Sequence, residues 1–481
     1  MRKGLIVLLA VFSVVAFALP AMADVSFFGY ARVMPTYYNN FDFDDSHADV
    51  ATLNEGGYTY GEHIRGELRL GWKAGGDKWK IMMTAESDII FNKNNVDRSF
   101  YSTPGINPAG TSAAKVGGTN SSPNAGAEFG IERAEFSYAF SPALELFTGW
   151  PISAVDIGTG GLLYGDDHPI FGFRGKVTDN FKYQLVYISI QNTPSISLSE
   201  SSVKGDWRAY FLKPEFSLGT GSAKGTLSPI LLFSDNRAAS AKVYYYGLEG
   251  IGQFGFIKPS FEVIAADGEF RNTGRDIQAY AAFAGVELGL SKAFNPYIAG
   301  RYTSGDDDAT DNDVEGFNGI TDIARFTPLM GMDGNILGEH LSSGGYYNAP
   351  LYSYAPEGSV GGNGYGGISN LGSGNNPGSM ILAVGAKGSI SEQFSYKAQL
   401  FGIWFDQTKN LPVGAGKTIT EVDDYAGTSF DLLLKYAFDK NFSVTYIGSV
   451  FLPGDGIQDQ QPAGADDTFA SVNTVQLVWT Y

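Results

Sequence analysis

"EHIRGELRLGWK", residues 62–73, alternates strictly between two kinds of side chain. Ile64, Leu68, Leu70 and Trp72 fall on one face of an extended chain, and His63, Arg65, Glu67, Arg69 and Lys73 fall on the other. A helix would scatter both sets around its circumference, so the period of two predicts a β-strand with one apolar and one charged face. The same period returns in "QFSYKAQLFGIWF" (393–405), where Phe394, Tyr396, Leu400 and Trp404 oppose Ser395, Lys397 and Gln399. In "SFDLLLKYAF" (429–438), Phe430, Leu432, Leu434, Tyr436 and Phe438 oppose Ser429, Asp431 and Lys435. The chain stops on the same pattern, "ASVNTVQLVWTY" (470–481), with Val475, Leu477, Trp479 and Tyr481 on one face. No segment sustains a period of 3.6, so helices are expected to be few.

The connections decide what the apolar faces touch. Short ones at 75–77, 141–142, 179–180, 219–224, 253–255, 291–293, 391–392 and 439–441 read as tight turns. Between them lie longer Gly-, Asp- and Asn-rich stretches at about 35–60, 92–125, 153–167, 193–203, 235–240, 267–275, 305–377, 407–425 and 453–467. A strand on either side of each predicts an all-β fold: a transmembrane antiparallel barrel of 18 strands, or 16, with short periplasmic turns and long extracellular loops. A soluble sandwich has no reason to alternate its connections in this way. A barrel closed on itself also satisfies every backbone group, which hydrocarbon demands. Aromatics crowd the strand ends, as in the two "YAF" triplets and the final "WTY", where an amphipathic ring would sit at the lipid–water boundary.

The beginning of the chain points to the same compartment. Arg2 and Lys3 precede an apolar run from Leu5 to Leu19, then Pro20 and "AMA" at 21–23. That order reads as a secretory signal peptide over 1–23, cleaved near Ala23/Asp24, rather than a membrane anchor. Residues 24–481 then form a single barrel domain in a Gram-negative outer membrane, with the long loop 305–377. Strand one begins soon after the cleavage site, so no plug domain of the TonB-dependent kind is expected. Lipid and lipopolysaccharide would meet the outer face, and the barrel-assembly machinery the nascent strands. The chain would work as a monomer or a homotrimer.

Composition narrows the function. There is no cysteine, which excludes disulfides and thiolate metal sites. The four histidines, His47, His63, His168 and His340, lack ligand spacing. The formal charge of −18 argues against nucleic acid, yet mean hydropathy is only −0.09. No nucleophile–base constellation is visible, so neither an enzyme nor a cofactor is expected. "GAGKT" (414–418) lacks the first glycine of a phosphate-binding loop, and "GNGYGG" (362–367) lacks the strand and helix that a dinucleotide site needs.

The charged faces carry the functional reading. If the apolar faces look at lipid, the basic residues expected to line the pore are Arg32, Arg65, Arg69, Lys80, Arg133, Arg174, Lys176, Lys258, Arg301, Lys397 and Lys435. The acidic ones are Glu67, Glu86, Asp88, Glu135, Glu262 and Asp431. Some of these would pair across strands to brace the wall. The basic excess left over predicts a passive porin that prefers small anionic solutes. The acid is instead placed in loops, most densely in "SGDDDATDNDVEG" (304–316). Asp306, Asp308, Asp311 and Asp313 there would either offer hard oxygen ligands to calcium or form a solvated acidic loop. Two segments are candidates to fold into the passage: 305–377, which is too long for an idle connector, and "AVDIGTGGLLYGDDHP" (154–169). The alternative to a porin is a barrel that sheathes a partner such as a cytochrome conduit, or an adhesin.

"AGTSFDLLLKYAFDKNFSVTYIGSVFLPG" (426–454) resembles the C-terminal hairpin of the bacterial alginate-export family of outer-membrane barrels, and "RYTSGDDDATDNDVEGF" (301–317) is similar to that family's strand end and acidic loop. The aromatic terminus resembles the signal by which such barrels are recognised for insertion. The stretch around "GWPISAVDIGTGGLLYGDDHPIFGF" is similar in style to porins of sulfate- and metal-reducing bacteria. The resemblance implies an 18-stranded barrel with an electropositive lumen, in that family for export of an anionic polysaccharide. The family's Arg-lined constriction maps onto no particular residues of this chain.

Overall fold

The computed structural model describes residues 24–40, 61–90, 130–191, 206–320 and 376–481, apart from 152, 157, 167, 238, 309, 412, 462 and 465–467. The expected signal peptide, the acidic stretch 41–60, the loop 92–125 and residues 321–375 lie outside them. The strands in chain order are β1 (Asp24–Asn39), β2 (Gly61–Gly75), β3 (Trp79–Ile90), β4 (Gly130–Ser141), β5 (Leu144–Trp150), β6 (Ser153–Ala154) and β7 (Gly165–Asp166). They continue with β8 (Ile170–Thr178), β9 (Phe181–Gln191), β10 (Trp207–Thr220), β11 (Ala223–Asn236), β12 (Ala241–Phe254), β13 (Ile257–Phe270) and β14 (Arg275–Leu288). The last are β15 (Asn295–Thr303), β16 (Asp313–Val314), β17 (Ser379–Ser389), β18 (Phe394–Trp404), β19 (Tyr425–Ala437), β20 (Phe442–Pro453) and β21 (Ala470–Thr480). One helical turn, α1 (Asp455–Gln458), stands among them.

Each long strand pairs antiparallel with the next, and β21 pairs with β1 through Thr474↔Thr36 and Val478↔Arg32, so the sheet has no edge. Without β6, β7 and β16, which are two-residue strands, the barrel has 18 strands. Closure removes the unpaired N–H and C=O groups that would be costly in lipid. The tight turns fall where the sequence places them. Between β12 and β13, Gly255 takes φ +60°, a conformation that a two-residue hairpin needs and that side chains resist. Two connections expected to be long, at 235–240 and 267–275, are instead nearly as tight, because β11 to β14 run on through their Gly- and Asp-rich ends.

Alternation holds around the wall. Leu70, Leu185, Leu212, Leu231, Val263, Leu382, Leu400 and Phe430 point outward and are exposed on the lipid-facing side. Aromatic rings border this band at both ends. Phe438, Phe442 and Trp479 stack at 5.2 and 5.0 Å beside the short turns. Tyr187, Tyr210, Phe233 and Tyr244 form a row across four strands at the long-loop end, with Lys242 over the last two rings.

The inward face departs from the simple two-faced pattern. In the half nearest the long loops it is apolar: Ile188, Phe211, Ile230, Leu232, Val243, Ile264, Ile277, Ile381, Phe401, Ile403, Ile447 and Phe451 are all buried. Segments folded in from the loops cover it. They bring Val155, Leu162, Leu163 and Tyr164 from the β5–β8 connection, Val314, Phe317 and Ile320 from the β15–β17 connection, and Phe405, Leu411, Val422 and Ile457 from the last two. The barrel therefore has a true hydrophobic core inside its upper half, formed by burial of apolar surface against the loops.

Candidate functional site

Eight of the basic interior residues stand in the half nearest the short turns. Lys73, Lys80, Arg174, Lys176, Lys182, Lys258, Lys387 and Lys435 all lie within a few residues of a short turn and share the inward parity of their strands. Several of these side chains, among them Lys73, Lys80 and Lys435, are exposed, so their charges keep access to water.

Most predicted lining residues are paired. Arg32 bonds Glu67, and Arg69 lies 2.7 Å from Glu67 and also bonds Glu86, so that β1, β2 and β3 are tied together. Tyr30 donates to Glu67 as well. Arg133 pairs with Glu135. Arg174 reaches both oxygens of Glu145 at 2.9 and 3.0 Å while its guanidinium lies over Phe147. Lys176 pairs with Asp179 at 2.7 Å at the turn, where that exposed carboxyl is held below its ordinary range by the ammonium. Asp431 accepts from Ser449, Ser429 and Gln399, and Lys397 lies 5.9 Å from the ring of Tyr297. Arg301 is buried between Phe283 and Ile381, its partners in register, and so sits in the loop-covered half. The side chains of Arg65 and Asp88 lie outside the described residues.

A basic excess persists after pairing. Glu287 alone serves both Lys258 and Lys387, at 2.8 and 2.7 Å. Lys73, Lys80 and Lys435 have no carboxylate within 4 Å among the described residues. Lys73 stands opposite Met82, two residues from Lys80 on the same face, so these two ammonium-bearing side chains are diagonal neighbours. Both line a cavity of about 490 Å³ with Arg174, Glu135, Ser137, Gln184, Met82, Phe147 and Ile170. Its roof is the start of the inward loop, Pro151 and Ser153.

Sequence reasoning missed several of these residues. Lys182 pairs with Glu215 at 2.7 Å and Lys213 with Glu249 at 2.5 Å, and none of the four is among the expected lining residues. The stretch around Lys213 is apolar on both faces because Phe211 faces the covered core while Tyr210 and Leu212 face outward. Its parity becomes legible only once the core is known.

The inward loop is built from the β5–β8 connection. β6 and β7 pair to form a small hairpin, Val155 N donates to Tyr164 O at 3.0 Å, and the Asp156 carboxylate accepts from Leu163 N at 2.7 Å and Tyr164 N at 3.3 Å. Tyr164 OH meets His168 Nδ1 at 3.2 Å. Ile320 N donates to Leu163 O at 2.8 Å, so the second inward segment rests on the first.

The acidic segment 304–316 is not a fully solvated loop. Asp306 is buried, and its carboxyl is pushed up to about 6, chiefly by loss of hydration. β16 runs parallel to the end of β14, which seats Val314 against the core. Three of the four candidate calcium ligands accept from nearby backbone and hydroxyl groups: Asp306 from Asp308 N at 3.2 Å, Asp308 from Thr310 Oγ1 at 2.6 Å, and Asp311 from Asp313 N at 2.8 Å, while the Asp313 side chain is exposed. Among the described residues no three acidic or histidine side chains gather as a metal site. Asp308, Asp311, Asp313, Glu315, Glu421, Asp423, Asp424 and Asp455 remain exposed at the long-loop end. Burial and the neighbouring Asp307 push the Glu315 carboxyl up.

The fold is similar to that of solved porins. OccK2 (OpdF) of Pseudomonas aeruginosa superposes with a TM-score of 0.52 at 10% identity, over 95% of this chain and 97% of that one. OccK9 (OpdG) of the same organism gives 0.52 at 11% identity, over 95% and 98%. A BenF-like porin from Pseudomonas fluorescens Pf-5 gives 0.51 at 10% identity, over 95% and 98%. No family model and no curated protein matches the chain. The resemblance of 301–317 and 426–454 to alginate-export barrels is not among what these comparisons show.

Proposed function

We propose that this chain is a passive outer-membrane channel that favours small anionic solutes, with its short turns in the periplasm and its long loops outside. The observation that carries the reading is the pair Lys73 and Lys80, diagonal on the inner wall, in a wet cavity with no carboxylate within 4 Å of either among the described residues. A unit charge 4 Å away gains about 4 kcal/mol in a partly screened setting, and about 1.4 kcal/mol is already tenfold in occupancy. Two such groups are enough to bias a narrow passage. Arg174 adds to the field, although Glu145 offsets it. The likeness in fold to porins supports the reading, and OccK2 has also been solved in complex with glucuronate, an anionic sugar acid. Transport by this route needs no catalytic residue, cofactor or energy coupling.

Purified protein in a planar bilayer with a tenfold KCl gradient tests the proposal. The reversal potential is expected to show anion preference. Lys73→Ala with Lys80→Ala is expected to cut the anion-to-cation permeability ratio about twofold or more. Cation preference, or a double variant that behaves as wild type, overturns the assignment of these lysines. A wild-type barrel that conducts nothing favours a sheath for a partner protein instead.

A further inference from the structure

We infer that Lys213, Glu249 and Glu262 are positioning residues that clamp the loop 155–164 across the passage and thereby set its size limit; the size limit rests on the channel reading above. The loop leaves β5 and returns at β8, yet its far end is held on β10, β12 and β13, so it crosses the interior rather than hugging its own strands.

The contacts are specific. Glu262 Oε2 accepts the Gly160 N–H at 2.9 Å and lies 2.7 Å from Thr159 Oγ1. That hydroxyl has one proton, and the alternatives at Glu249 Oε2 and Asp156 O are both 3.2 Å away, so Glu262 receives it. Lys213 Nζ donates to Val155 O and lies 2.5 Å from Glu249 Oε1. Glu249 and Glu262 face each other in register on β12 and β13. Gly160 is pressed against the wall: a Cβ there would stand 2.7 Å from Phe283 Cβ and 3.1 Å from Glu262 Oε2.

Glu249 also braces the wall through Lys213, but Glu262 has no evident use to the wall itself. Glu262 is fully buried; the inward residues beside it are Ser260 and Ile264 on its own strand, Phe283 on β14 and Glu249 on β12, and among the described residues none of these donates to it. Burying a carboxyl in such a row is costly unless it is hydrogen-bonded, and the donors that Glu262 receives come from the loop. The residue is explained by what it holds.

The test uses the full chain in two ways. Conductance and exclusion of polyethylene glycols of graded size are measured in planar bilayers. In parallel, Leu163→Cys, on a chain without native cysteine, reports loop position by its rate of reaction with a water-soluble thiol reagent, whether or not the barrel conducts. Glu262→Ala is expected to raise single-channel conductance about twofold, admit larger polymers and speed labelling several-fold. Glu262→Gln keeps an acceptor for Thr159 and Gly160 and is expected to restore wild-type behaviour in both readouts. Should Glu262→Ala fail to form a barrel on heat-modifiable electrophoresis, Gly160→Val displaces the loop without altering the wall and carries the same expectation. Wild-type labelling and exclusion in a folded Glu262→Ala or Gly160→Val protein overturns the clamp. A wild-type protein that conducts nothing while Glu262→Ala still speeds labelling retains the clamp and overturns the channel instead.

Discussion

Asp306 shows how one buried carboxyl can make a loop sensitive to pH. Its amide donates to Asn376 O at 2.8 Å, one oxygen accepts from Asp308 N at 3.2 Å, and Arg275 stands 3.9 Å from the other. Loss of hydration outweighs these helpers and raises the carboxyl from near 3.8 to about 6. The folded segment therefore binds its proton more tightly than the unfolded one does. The contribution of Asp306 to the segment's stability is greatest below about pH 4, falls as pH rises through the window from 3.8 to about 6, and stays lower above it. Hydrogen exchange at the Phe317 amide, which donates to Ser304 O at 2.9 Å, reads this directly. After correction for intrinsic rates, protection at pH 5 is expected to exceed that at pH 7.5, and Asp306→Asn is expected to flatten the difference. Equal protection at both values in the wild type would refute the effect.

Among the elements, β21 carries most of the closure. It pairs with β1 on one side and β20 on the other, Tyr481 N donates to Gly29 O at 3.2 Å, and Asn441 Nδ2 donates to Thr480 O at 2.7 Å. Gly29 has no side chain, which leaves room for the Tyr481 ring. Trp479→Ala removes the stack on Phe442 and is expected to destabilise the barrel by about 1 kcal/mol, measured as urea unfolding in lipid vesicles. An unchanged midpoint would show that the stack contributes nothing. β21 was legible in the sequence, as were β2, β18 and β19, because their inward residues are polar where water or a polar network meets them. The upper parts of β10 and β11 were not. Phe211, Ile230 and Leu232 face a core made by loops from elsewhere in the chain, so both faces of those strands read as apolar and the period of two disappears. Partners across strands were equally hidden: Arg69 could be placed on the inner face, but its bonds to Glu67 and Glu86 depend on a register that one sequence does not state. The inward fold of 154–169 was anticipated from its apolar, Gly-rich composition. Its anchors on Glu249 and Glu262 were not.

At the scale of the whole barrel, the inner wall and the long-loop end carry fixed charge of opposite sign among the described residues. Among the described residues, exposed carboxylates crowd the long-loop end at 308–315 and 421–424, while on the inner wall of the short-turn half Lys73, Lys80 and Lys435 have no carboxylate within 4 Å. Two fixed-charge zones of opposite sign in series behave as an ionic diode. With the long-loop side positive, cations from the acidic zone and anions from the basic zone are both driven toward the junction, where carriers accumulate. With the polarity reversed, both are drawn away and the junction is depleted. Single channels in symmetric KCl are therefore expected to pass about twice the current at 0.1 M when the long-loop side is positive, and to become nearly ohmic at 1 M, where the screening length shrinks from about 10 Å to about 3 Å. An Asp308→Cys label applied from one chamber fixes the orientation. A symmetric current–voltage curve at 0.1 M would show that the two zones do not act in series. If they do, the barrel is a leaky rectifier, and anions pass from the short-turn side to the long-loop side more readily than they return under the same driving voltage reversed.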